Sequence, residues 1–210
     1  MSVYLFDFDG TLVDSMPTYV GVMLTILDKN GIKYEKDIVK IITPLGLTKT
    51  AEYYIDLGVK GSVSEIVAEM KSSMLHEYTY NIQEKPNVIR VLRDLVARGD
   101  SLNVLTASPH NTLDPCLKRL GIFDLFDNVW SCDDFNTTKA NPEIYKMAAD
   151  KIGADVSEVI FLDDNFNAVK TAKDAGMRVF GVFDESSADY ITEMKSISER
   201  YISDFVQLLD

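Results

Sequence analysis

The chain has 210 residues, with 33 Asp and Glu against 21 Lys and Arg and a formal net charge of −12. That length allows one large domain or a core with a small insert, and 46% hydrophobic with 26% charged residues is the balance of a soluble globular protein. The acidity and the lack of any Lys/Arg cluster disfavour nucleic acid or an anionic membrane surface as partner, because both need a basic patch to release counterions; no apolar run approaches the ~20 residues that span a bilayer.

The first stretch, Val3-Tyr4-Leu5-Phe6-Asp7-Phe8-Asp9-Gly10-Thr11-Leu12-Val13-Asp14-Ser15, opens like a strand buried on both faces and then turns at Gly10. Strand alternation sends Asp7 and Asp9 to the same side. Two carboxylates held together there call for a cation or a shared proton. No basic region precedes the apolar run and Asp7 falls inside it, so a secretion signal is not expected. Ser15 is expected to cap a helix with Pro17 in its first turn, with Val20, Met23, Leu24 and Leu27 on its apolar face and an end near Asn30-Gly31. Residues 35–42 read as a short second helix, interrupted by Pro44-Leu45-Gly46. Thr48 reads as the cap of a third helix that runs through Leu57 and stops at Gly58. Ser62 or Ser64 starts a fourth, with Ile66, Met70, Met74 and Tyr78 at helical spacing as packing residues.

Beyond residue 82 the pattern changes. Pro86 precedes a helix carrying Val88, Val91, Leu92 and Leu95 and ending at Gly99, and Leu102-Asn103-Val104-Leu105-Thr106 reads as a strand. Residues 109–120 are expected to be helical, starting either near His110 or at Pro115 with Asp114 as cap. Val129 and Trp130 mark another strand. Asn141 reads as the cap of a helix with Pro142 first and Gly153 after its end. Val159-Ile160-Phe161-Leu162 forms a fourth strand running into Asp163-Asp164-Asn165. A helix with Ala168, Val169 and Ala172 runs to Gly176, and Arg178–Val182 is a fifth strand. The tail from Ser186 holds two weakly helical pieces. Strands alternating with helices predict an α/β fold, a doubly wound, Rossmann-like parallel sheet with helices on both faces. Its core is assigned to residues 1–14 and 82–210, with 15–81 inserted as an all-helical domain.

In such sheets ligands bind beyond the C-terminal ends of the strands. Those ends offer Asp7 and Asp9, Thr106, the Lys139 loop, then Asp163 and Asp164. Oxygen donors without His or Cys suit a hard cation, Mg²⁺ first, with a phosphate group against it, Lys139 and the Thr106 hydroxyl. Local alternatives stay open: Asp163-Asp164 as the pair at a helix N-terminus, Thr106 as a helix cap, Lys139 as a solvated loop lysine. Asp14 and Ser15 read as caps of the first inserted helix. His110 reads as a surface histidine, with substrate contact as the alternative, and His76 as non-catalytic. Cys116 and Cys132 show neither zinc spacing nor a disulfide framework and read as small semi-buried residues in a reducing cytoplasm.

Taken together, these motifs resemble the haloacid dehalogenase superfamily, in the subfamily of phosphoglycolate phosphatases and β-phosphoglucomutases with a small helical (C1-type) cap inserted after the first motif. The stretch Asp7–Ser15 resembles the first motif, Leu105-Thr106-Ala107-Ser108 the second, and Lys139 in Lys139-Ala140-Asn141-Pro142-Glu143-Ile144-Tyr145 the third. Phe161-Leu162-Asp163-Asp164-Asn165, followed by Ala168 and Ala175-Gly176-Met177, resembles the fourth. Where the family usually has Pro directly after the lysine, this chain has Ala140.

The resemblance implies Asp7 as nucleophile and metal ligand, and Asp9 as general acid and then base, its backbone carbonyl on the metal. It implies Asp164 as direct metal ligand, with Asp163 binding or supporting the metal, directly or through water. Thr106 and Lys139 would hold the phosphoryl group, with backbone N–H groups near Ala107 completing the cradle. The implied activity is that of a Mg²⁺-dependent phosphatase hydrolysing a small phosphomonoester, phosphoglycolate-like or a sugar phosphate, through an aspartyl-phosphate. Asp9 and the Asp163-Asp164 pair argue against dehalogenation. A β-phosphoglucomutase-like transfer is the alternative; a mutase-like cap would carry a His early in its first helix, where this chain has Thr18-Tyr19-Val20. The loop from Pro44 to Lys49 is expected to face the site, with Lys49 as its substrate-binding cation. A non-catalytic metabolite-binding or interaction protein is the reading from another class. The expected partner is a small phosphorylated metabolite, with no nucleic acid and no membrane, and the expected state is a cytoplasmic monomer or weak homodimer.

Overall fold

The computed structural model describes residues 1–35, 37–42 and 45–210. Its strands are β1 (Val3–Phe6), β2 (Ser101–Thr106), β3 (Asn128–Ser131), β4 (Val159–Asp163), β5 (Arg178–Val182) and β6 (Arg200–Ile202). Its helices are α1 (Met16–Lys29), α2 (Ile38–Ile42), α3 (Gly46–Asp56), α4 (Val63–Tyr80), α5 (Val88–Ala97), α6 (His110–Arg119), α7 (Glu143–Ile152), α8 (Phe166–Asp174) and α9 (Ile191–Ile197). The chain divides into two compact units, one of Met1–Asp14 with Gln83–Asp210, the other of Ser15–Ile82.

The first unit is built on one parallel sheet in the order β3-β2-β1-β4-β5-β6. The chain moves outward from β1 to β3, then returns to lay β4 on the other side of β1. Loops leaving β1 and β4 therefore diverge and open a crevice at their C-terminal ends. Alternation along β1 separates two cores. On one face Tyr4 stacks on Phe6, and Phe6 meets Phe126 and Phe205, the latter ring stacked on it at 6.2 Å. Leu5 joins Phe161, Ile144 and Tyr145 of α7, Ala168 and Val169 of α8, and Met194 of α9 on the opposite face. Near the unit's edge Val13 and Glu84 form an antiparallel bridge, flanked by Asp14 N–H donating to the Gln83 carbonyl and Lys85 N–H to that of Leu12, each at 3.0 Å. Lys85 also pairs with the buried Asp184 carboxylate at 2.8 Å.

Strand β6 was not expected from the sequence. It is three residues long, too short to display an alternating pattern, and forms only because Phe180–Val182 of β5 offers an open edge. Helix α6 takes the earlier of its two possible starts, with Pro109 at the N-cap and Pro115 inside the helix. Helix α7 begins one residue late, with Pro142 at the N-cap, and the Asn141 side chain still accepts from Glu143 N–H at 3.1 Å.

In the helical unit α1 buries Val22, Met23, Ile26 and Leu27. Val20 and Leu24 are only half-buried, because a helix apolar on nearly every side leaves its phase to its packing partners. Ser15 stands at the N-cap without a capping bond from its side chain. Thr48 lies inside α3, which starts at Gly46 with Leu45 at its N-cap; the interruption expected at Pro44 lies outside the described residues. Ser62 caps α4 in a reciprocal pair with Glu65. The unit's core includes Met23, Leu27, Ala51, Tyr54, Ile66 and Met70, with the Tyr54 hydroxyl donating to the Met23 carbonyl at 3.0 Å.

Candidate active site

The sheet register brings the acid residues together. Phe6 of β1 pairs with Leu162 of β4, and Asp7 N–H extends the ladder by donating to the Leu162 carbonyl at 2.8 Å. Asp7 and Asp163, the next residue on each chain, therefore leave neighbouring strand ends. Both are buried, as is Asp164, and one carboxylate oxygen from each of the three lies within 4.8 Å of the others. Lys139 enters this group from the loop before α7. Its ammonium forms ion pairs with Asp7 and, at 2.8 Å, with Asp163. The buried Tyr145 hydroxyl is shared between the carbonyls of Lys139, at 3.1 Å, and Ala168, at 3.0 Å, which fixes the lysine's loop to α8.

Asp164 is held from the opposite side by Thr11. The Thr11 hydroxyl accepts from Asp164 N–H at 3.1 Å and donates to its carboxylate at 3.2 Å. Gly10, the residue before Thr11 in the turn after β1, has φ +71°, and a Cβ there would stand 2.7 Å from the Asp164 carboxylate. A side chain at position 10 would thus strain the backbone and displace an acid of the cluster. The N-cap of α8 is Asn165, whose side chain accepts from Asn167 and Ala168 N–H. Asp163 and Asp164 are therefore not the helix's capping pair. Thr106, buried at the end of β2, accepts from Ser108 N–H at 3.1 Å and does not cap α6. Ser108 also donates its hydroxyl to the Asp9 carboxylate at 2.5 Å, and Ala107 lies exposed between the two. Lys49 is exposed on α3 of the helical unit.

Charge in the cluster does not balance. Burial first, then the Asp163 carboxylate, push the Asp7 carboxyl up to about 7, against the pull of Lys139. Burial, then Asp163 and Asp7, hold Asp164 well above the usual carboxylate range. Burial alone would lower Lys139, but Asp163 and Asp7 outweigh it and raise it. Three buried carboxylates facing one ammonium leave an excess of negative charge, and every donor is a hard oxygen. The set fits a hard divalent cation.

Thr11, Ser108, Tyr145 and Asn165 carry no role in the sequence reading. All four lie inside the quoted motifs, and Ser108 and Asn165 stand next to an assigned residue, which is the only signal they give. His110 is a surface histidine, as expected, and it is paired with two carboxylates outside the acid cluster. Its two ring nitrogens lie 2.8 Å from Asp114 and Asp134, which raise its pKa in that order. His76 packs on the Tyr80 ring at 4.9 Å within α4.

The sequence profile of haloacid dehalogenase-like hydrolases matches residues 4–182, and the chain belongs to that family. Among relatives, it is 29% identical to pyrophosphatase PpaX of Bacillus velezensis over 185 residues, 87% of this chain and 83% of the relative. It is 26% identical to a phosphoglycolate phosphatase of Yersinia pseudotuberculosis over 182 residues, covering 84% and 78%. In fold it is similar to a Thermotoga maritima protein assigned as a β-phosphoglucomutase, with a TM-score of 0.86 at 21% identity over 100% of this chain and 98% of that one. It is also similar to a Deinococcus radiodurans hydrolase of the same superfamily solved with phosphate and sodium bound, with a TM-score of 0.81 at 17% identity, covering 99% and 93%. Among the described residues no helix is long and apolar enough to cross a membrane.

Proposed function

We propose that this protein is a phosphatase that hydrolyses a small phosphomonoester, phosphoglycolate-like or a sugar phosphate, by way of an aspartyl-phosphate on Asp7. The observation that carries the reading is the buried Lys139 ammonium against both Asp7 and Asp163. A carboxylate attacks an anionic ester only where the repulsion between them is screened. The relatives named for phosphatase and pyrophosphatase activity support the same class.

In this mechanism a carboxylate oxygen of Asp7 bonds to phosphorus as the ester P–O bond breaks. The bonding pair goes to the leaving oxygen, and Asp9 gives that oxygen its proton. Asp9, now a carboxylate, takes a proton from the water that attacks phosphorus. The O–P bond to Asp7 breaks and inorganic phosphate is released. Lys139 neutralises the phosphoryl oxygens and steadies Asp7, while the Thr106 hydroxyl and N–H groups near Ala107 donate to the same oxygens. Mg²⁺, held by Asp7, Asp164, the Asp9 backbone carbonyl and, directly or through water, Asp163, would supply further charge neutralisation at those oxygens. Lys49 is the cation of the helical unit that would meet an anionic substrate. The two free, buried cysteines agree with a reducing cytoplasm, where the chain would act as a monomer or weak homodimer.

The test is turnover of a panel of phosphomonoesters by the purified protein with Mg²⁺. Phosphate release that stops on chelation and in Asp7→Asn is the expected result, and a folded protein inert on the whole panel would contradict it. Phosphate retained in an isomerised sugar, with a sugar bisphosphate supplied, would replace the phosphatase reading with the mutase one.

A further inference from the structure

Ser108 makes two contacts that join residues of different strands. Its N–H donates to the Thr106 hydroxyl at 3.1 Å, which leaves the Thr106 proton for donation elsewhere. Its own hydroxyl donates to Oδ2 of Asp9 at 2.5 Å, reaching from the loop after β2 to the loop after β1. The residue is well placed to hold a position. It precedes Pro109, which restricts its backbone to extended conformations. The Pro109 carbonyl in turn accepts from the N–H groups of Thr112 and Leu113, both at 3.0 Å, and from the Thr112 hydroxyl at 2.9 Å, which anchors the loop to the first turn of α6. Asp9 is half-buried, and its backbone is tied into a tight turn by the bridge to Val13 and by Gly10 N–H donating to the Val13 carbonyl at 3.0 Å. That turn fixes where the Asp9 side chain begins, and Ser108 fixes where one of its oxygens ends.

On the phosphatase reading above, we propose that Ser108 is a positioning residue for the acid/base Asp9. The hydrogen bond at Oδ2 holds the carboxyl in one orientation, with Oδ1 the oxygen not bonded to Ser108. When the ester P–O bond breaks, the bonding pair goes to the leaving oxygen and that oxygen takes the proton from the Asp9 carboxyl. The resulting carboxylate is stabilised by the same serine donor until it takes a proton from the attacking water. Ser108 thus acts through Asp9, and its worth depends on how much help the leaving group needs.

The experiment compares two esters. kcat/KM counts only the steps through departure of the alcohol. An alkyl phosphate, with a basic leaving group, needs the proton; p-nitrophenyl phosphate, with an acidic one, hardly does. In Ser108→Ala, which keeps the backbone N–H to Thr106, kcat/KM should fall by about 10- to 100-fold for the alkyl ester and by less than about 3-fold for the nitrophenyl ester. Ser108→Thr should restore the alkyl activity. If Ser108→Ala proves unstable by its melting temperature, Ser108→Cys fills the same space with a weak donor and should show the same dependence on leaving group. Equal losses on both esters, or no loss on either, would overturn the assignment of Ser108 while leaving the phosphatase standing. A wild-type protein that cleaves neither these esters nor any other of the panel with Mg²⁺ would overturn the phosphatase reading and this proposal with it.

Discussion

The two units differ in what they bury. Among the described residues, the helical unit from Ser15 to Ile82 encloses apolar side chains with the hydroxyls of Ser15, Thr50 and Tyr54 as its buried polar side-chain groups, while its charges stay at the surface or half-exposed. The sheet unit encloses Asp7, Asp163, Asp164 and Asp184. One of these, Asp184, is matched one-to-one by Lys85. Although burial opposes it, the contacts with Lys85 and Ser186 hold its carboxyl below the usual range. Of the other three, Asp7 and Asp163 share Lys139 while Asp164 meets the Thr11 hydroxyl, and Asp7 and Asp164 have raised pKa values. A matched buried pair is structural in character. An unmatched buried cluster costs stability in a chain that folds without a ligand, and such a cost is the mark of a site.

Removing charge should therefore be severe in the sheet unit and mild in the helical one. The largest effect is expected in Lys139→Ala. With Asp7 and Asp163 left uncompensated, unfolding by denaturant without divalent cation should show a loss of about 3–5 kcal/mol, together with loss of phosphate release. A loss below about 1 kcal/mol would mean that the cluster is solvated and that the contrast between the units fails. The smaller effect is expected in Ser62→Ala, which removes the α4 cap and its exchange with Glu65. That should cost about 1 kcal/mol and leave kcat/KM unchanged. Glu65 is held below its usual range by its hydrogen bonds to Ser62, so the cap's contribution should fade as pH falls towards the acid range.

The same contrast explains how much could be read from the chain. Strands β1, β2, β4 and β5 are short apolar runs buried on both faces, and the acids at the ends of β1 and β4 follow those runs directly, so both the sheet and the convergence of Asp7, Asp163 and Asp164 were legible. Strand β6 has no pattern of its own. The phase of α1 and the start of α3 depend on packing and on the positive φ of Gly46, neither of which hydrophobic spacing encodes. Thr11 and Tyr145 were missed because their work is done across the fold, Thr11 on Asp164 and Tyr145 on the carbonyls of Lys139 and Ala168. The pairing of His110 was not legible because its partner Asp134 lies in another element, the short 3₁₀ turn after β3.

The Asp7 cluster, which the proposed function assigns to a cation, concentrates negative charge in the fold. Folded Asp7 titrates near 7 instead of its ordinary 3.8, and Asp164 is shifted the same way. Between those limits the folded state keeps protons that the unfolded chain has released, so stability must fall as pH rises from about 4 to about 7. His110, raised by Asp114 and Asp134, adds a further loss once pH passes the ordinary histidine value, which makes the Asp7→Asn comparison the decisive one. The measurement is the melting temperature of wild type and Asp7→Asn at pH 7, each with and without Mg²⁺. Asp7→Asn should be the more stable without cation, by about 1–3 kcal/mol, and Mg²⁺ should raise the wild type more than the variant. A variant that melts below the wild type without cation, or a wild type that Mg²⁺ does not stabilise, would contradict the account.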